Sequence, residues 1–111
     1  MSTAENIYDG FLSNVEKALG KIDLELALQV MLLERKMPDV PPMVELEIHY
    51  KSGVDTDSKV SYVRDRYGFL VSGHGKNEIL ARGNMNIATL NEIAQDSQIE
   101  KLTGSVSVAS Y

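Results

Sequence analysis

Val44-Glu45-Leu46-Glu47-Ile48-His49-Tyr50 alternates apolar and polar side chains without a break. Successive residues of a strand point to opposite sides, so the stretch predicts a strand with Val44, Leu46, Ile48 and Tyr50 on a buried face. Glu45, Glu47 and His49 then fall on the wet face. A sheet covered on one side follows, and the rest of the chain has to supply the cover.

Toward the N-terminus, all three prolines lie within Pro38-Asp39-Val40-Pro41-Pro42. Proline removes a donor and pushes the preceding residue out of the α region. The reading is a helical extension over residues 1–37, a stiff linker over 38–42, and a separate unit over 43–111. Within the extension, Ile7, Phe11, Val15, Ala18 and Ile22 recur at helical spacing, and Gly20 is placed to end that helix. Asp23 is placed to cap a second helix, in which Leu24, Ala27, Leu28, Met31 and Leu32 share a face. Leu26, Val30 and Leu33 add apolar surface on another side, so this helix is expected to have more than one neighbour.

Toward the C-terminus, Asp57 or Ser58 is placed to cap a helix carrying Val60, Val63 and Tyr67, and Gly68 stops it. Phe69-Leu70-Val71 reads as a second strand. Gly73-His74-Gly75-Lys76-Asn77 is turn chemistry, and residues 79–85 read as the returning strand, bulged or bent at Gly83. Thr89-Leu90-Asn91-Glu92 has the form of a capping box opening a helix with Leu90, Ile93 and Ala94 inward. Asp96-Ser97-Gln98 then turns the chain into a last strand, residues 99–103. Strand, helix, strand, strand, helix, strand is the ferredoxin-like βαββαβ order of an α+β domain: a four-stranded antiparallel sheet with two helices on one face.

Composition narrows the function. The 111 residues include no cysteine, which excludes disulfides, thiolate metal sites and a cysteine nucleophile. Against 11 Lys and Arg stand 16 Asp and Glu, for a net charge of −5. A nucleic-acid partner needs a basic face, and no such patch is visible. The apolar stretch around Leu24 to Leu33 is too short for a membrane span. Met1 to Gly10 lacks the basic and apolar regions of a secretory signal, so a chain that begins naturally there is expected in the cytoplasm.

The two histidines give little sign of chemistry. His49 reads as a surface residue between two glutamates, and His74 as part of a hairpin turn. Gly75-Lys76 lacks the spacing of a phosphate loop, and no Gly-x-Ser-x-Gly elbow is present. Glu45 and Glu47 are read as an exposed acidic strand face. No enzyme, cofactor or metal is expected. The segment Ser105-Val106-Ser107-Val108-Ala109-Ser110-Tyr111, by contrast, is uncharged, small and partly β-branched. With Gly104 before it, residues 104–111 suit an extended tail able to lie as a strand against another protein, with Tyr111 as anchor.

Ile87-Ala88-Thr89-Leu90-Asn91-Glu92, then Ile93-Ala94 and Asp96, then Ile99, Leu102 and a small-residue tail ending at Tyr111, resemble the propeptides of subtilisin-type serine proteases. These act as intramolecular chaperones and inhibitors and include free-standing inhibitors of the I9 type. The resemblance covers residues 44–111. It implies a non-catalytic protein whose outer sheet face packs on two helices of a subtilisin-like protease. The tail would enter the substrate cleft like a cleaved product, with Tyr111 in the primary specificity pocket, Ser110 and Ala109 following, and Val108 in the fourth subsite. Family members carry acidic residues after the last strand to cap the protease helices. Here Thr103 and Ser105 stand there, and their hydroxyls would take that role. The alternative is an interaction or oligomerisation module that uses the N-terminal helices, with a homo-oligomer as its product.

Overall fold

In a computed structural model, residues 20–107 are described. The elements run α1 (Leu24–Lys36), β1 (Met43–Tyr50), α2 (Thr56–Tyr67), β2 (Leu70–Gly73), β3 (Glu78–Asn84), α3 (Ile87–Ala94) and β4 (Ile99–Ser107). The chain is α+β, with three helices and one four-stranded sheet in the order β2-β3-β1-β4. Every pairing is antiparallel, an arrangement compatible with the ferredoxin-like order. No described helix is long and apolar enough to cross a membrane. The stripe Ile7, Phe11, Val15 and Ala18 lies outside the described residues, as do Val108, Ala109, Ser110 and Tyr111.

The alternation of β1 holds over its whole length. Val44, Leu46, Ile48 and Tyr50 are buried, and the residues between them are half-buried. Pairing carries the same division across the sheet, because Leu46 stands beside Ala81 and Gly104, and Ile48 beside Ile79 and Leu102. Val63 of α2 and Leu90, Ile93 and Ala94 of α3 close over this inner face.

Leu26, Ala27 and Val30 of α1 belong to the same buried cluster. The proline segment therefore turns the chain without dividing the core. Ahead of α1, Ile22 adds a short parallel bridge to the edge of β4. The Asp23 N–H donates to the Leu102 carbonyl at 2.8 Å, and the Leu102 N–H to the Lys21 carbonyl at 2.7 Å. Part of one sheet edge is thus paired within the chain, which blunts its tendency to pair with other chains. The Glu34 carboxylate accepts from the Ile87 N–H at the start of α3, and Lys21 Nζ donates to the Asp96 carbonyl beyond its end. Opposite ends meet in this way, so α1 runs antiparallel to α3.

Several boundaries differ from the sequence expectation. Asp23 does cap α1, but α2 is capped by Asp55, whose side chain accepts from the Asp57 and Ser58 N–H groups. The cap of α3 is Asn86 and not Thr89, which lies inside the first turn. Both the N–H and the hydroxyl of Thr89 donate to Asn86 Oδ1. The earlier side chain wins in each case because it sits on extended backbone just before the first free N–H groups. β2 begins at Leu70 and runs to Gly73, so Phe69 precedes it.

Gly83 carries no bulge, since its register with β1 is continuous. The Phe69 ring covers it, and a Cβ there would overlap the ring. The irregularity falls instead between His49 and Tyr50 against β4.

The largest difference is at the last strand. β4 continues past Thr103 through Gly104 to Ser107, so residues 104–107 are ladder and not free tail. Gly104 is no loose joint. Its φ is +155°, and a Cβ there would overlap the carbonyl oxygen of Glu45. Glycine is needed because β4 approaches β1 too closely for any side chain.

Candidate functional site

All three helices cover one side of the sheet, and among the described residues no element covers the other. This outer face presents Glu45, Glu47 and His49 from β1, Glu78, Leu80 and Arg82 from β3, and Lys101, Thr103 and Ser105 from β4. The register sets its rows: Arg82, Glu45 and Ser105 lie side by side, then Leu80, Glu47 and Thr103, then Glu78, His49 and Lys101.

The polar side chains are tied to one another. His49 Nδ1 lies 2.9 Å from Glu78 Oε1, and its Nε2 lies 2.9 Å from Thr103 Oγ1. The Thr103 hydroxyl donates to Glu47 Oε2 at 3.1 Å. Arg82 pairs with Glu45, and His74, from the β2–β3 turn, stands 3.9 Å from Glu47. Which role Nε2 plays follows from whether the Thr103 hydroxyl points its proton to Glu47 or to the ring. His49 is therefore a tie between three strands and not surface decoration, its side chain only 16% exposed.

Hydroxyl, imidazole and carboxylate here stand in the order used by nucleophilic enzymes. The surroundings oppose that chemistry. A shallow depression of about 370 Å³ beside Thr103 is lined by Glu45, Glu47, Leu80, Gly104 and Ser105. Two carboxylates facing it would raise the energy of a developing oxyanion, where catalysis needs donors. As a binding surface the same arrangement is coherent: a rigid sheet with a half-buried leucine, two carboxylates and two hydroxyls. Carboxylates and hydroxyls on a rigid strand can accept from the free N–H groups at the end of a partner helix. Among the described residues, no group of three or more His, Asp and Glu side chains is arranged to hold a metal.

Of the residues singled out from sequence, Thr103 and Ser105 lie together on this face, Thr103 half-buried and bonded, Ser105 exposed. Glu45 and Glu47 join them from β1, as the alternation implied. Sequence reasoning missed the roles of His49, Glu78 and Arg82. The alternating pattern already placed His49 on this face, but the partners lie 29 and 54 residues away along the chain. No family model, no curated protein and no solved structure matches the chain.

Proposed function

We propose that the chain is a non-catalytic, propeptide-like inhibitor or intramolecular chaperone of a subtilisin-like serine protease. The observation that carries the reading is the open outer face of a βαββαβ sheet whose last strand, β4, leads straight into residues 108–111. In the finer form of the fold this implies, the ferredoxin-like sheet docks by that face and Val108, Ala109, Ser110 and Tyr111 lie in the substrate cleft.

Two features support it. α1 packs on the inner side, so it leaves the outer face open. Glu45 and Glu47 stand in register beside Ser105 and Thr103, which supplies negative charge next to the hydroxyls. A carboxylate near a helix N-terminus is favourable, so the pair complements the ends of protease helices better than Thr103 and Ser105 alone.

The test is inhibition of peptide hydrolysis by a subtilisin-like protease in the presence of the full chain. Competitive inhibition is expected, lost on removal of residues 108–111 and weakened by Glu45→Lys with Glu47→Lys. Unchanged hydrolysis at saturating chain would refute the proposal.

A further inference from the structure

α1 is apolar on two sides. Leu26, Ala27 and Val30 face the core, while Leu24, Leu28 and Leu32 are 60%, 56% and 52% exposed. The spacing of four puts the three in one row along the helix. They are half of the six exposed large hydrophobic residues among those described, so exposure is concentrated on this helix. A helix with an apolar row outside its core-facing side has surface to bury against a second neighbour. Beside the row, Leu28, Met31 and Leu32 join Ile87 of α3 around a depression of about 580 Å³ whose rim also carries Glu34 and Arg35.

We propose that this face binds a second copy of the chain, with the two α1 helices packed antiparallel about a two-fold axis. Charge selects both the occupant and the direction. Glu25 lies in the first turn of α1, and Arg35 and Lys36 lie in the last. A two-fold axis at the level of Val30 sets Leu28 against Leu32 of the second copy. The same axis sets Glu25 against Arg35 of the second copy at both ends, because the two residues are equally far from Val30. Parallel pairing would instead place like charges together. One helix row from each copy is little surface to bury, so the dimer is expected to be concentration-dependent. It uses the helical side of the molecule and leaves the outer sheet face free, which makes it independent of the protease reading.

Sedimentation velocity on the full chain over a concentration series tests it. A monomer–dimer equilibrium is expected. Leu28→Glu, at an exposed position, is expected to give a monomer at every concentration with an unchanged melting temperature. Glu25→Lys, and separately Arg35→Glu with Lys36→Glu, should each weaken the dimer about tenfold, and mixing the two altered chains should restore it as a heterodimer. A full chain that stays monomeric throughout would mean that the row is covered within one molecule or by another partner, and would overturn the proposal. A dimer indifferent to Leu28→Glu, or charge-reversed chains that do not rescue each other, would overturn it as well.

Discussion

The two faces of β1 are built from one stretch of seven residues and behave as different materials. Val44, Leu46, Ile48 and Tyr50 meet side chains from three helices, and nothing polar is buried among them. Glu45, Glu47 and His49, one residue out of step, meet neighbouring strands, His74 of the β2–β3 turn and solvent, and they are held by ion pairs and hydrogen bonds. Burial of apolar area supplies most of the stability on the first side, since each full side chain removed from water is worth about 1.5–3 kcal/mol. On the second side each exposed pair is worth about 1 kcal/mol or less. The outer face can therefore be altered at little cost to the fold.

The contrast breaks most visibly at the inner face. Leu46→Ala is expected to destabilise by about 3 kcal/mol, read as a shift in the denaturant midpoint, because Leu46 is fully buried and the rigid sheet cannot collapse around the cavity. Gly104→Ala comes next, at about 2–3 kcal/mol, since the added Cβ strikes the Glu45 carbonyl and forces β4 away from β1. An unchanged midpoint in that variant would show that β4 does not pass through Gly104 in register.

His49→Ala samples the outer face and is expected to cost about 1 kcal/mol, leaving Glu78 and Thr103 to water. A loss above that of Leu46→Ala would erase the distinction between the faces. The smallest expected change lies at the helical rim. Burial by itself raises the pKa of Asp96, but bonding to Lys59 and the Gln98 N–H, with the charges of Lys59 and Lys21, outweighs it and holds the group below its ordinary value. A lowered folded value adds stability above the ordinary carboxylate pKa, and that contribution is lost as pH falls through the folded one. Asp96→Asn should thus cost about 0.5 kcal/mol at neutral pH and less in acid, seen as a flatter acid limb of the stability profile.

Much of this was legible in the linear chain where the signal is local. The alternation over residues 44–50 returned the strand and both its faces, Asp23 returned the start of α1, and Gly68, with φ +74°, returned the end of α2. Caps were misplaced where two suitable side chains lay a few residues apart, as with Asn86 and Thr89, because either could reach a free N–H group in sequence terms. In sequence Gly104 reads as the start of a tail, because a glycine among small residues looks the same whether it frees the backbone or admits a neighbouring strand. On the outer face, the alternation of β1 places Glu45 and Glu47, and the register sets them beside Ser105 and Thr103. The His49 tie was not legible in sequence, since its partners come from β3 and β4.

What the amino-acid sequence determined by itself is the identity and sidedness of each element, because periods of two and of about four residues are read from neighbours along the chain. Tertiary structure alone decided that α1 shares the core instead of standing apart, that Gly104 lies within the ladder, and that His49 joins three strands. Each of these depends on which strand lies beside which and in what register. Register is settled by the burial of the whole inner face at once, an energy that belongs to no single stretch of the chain.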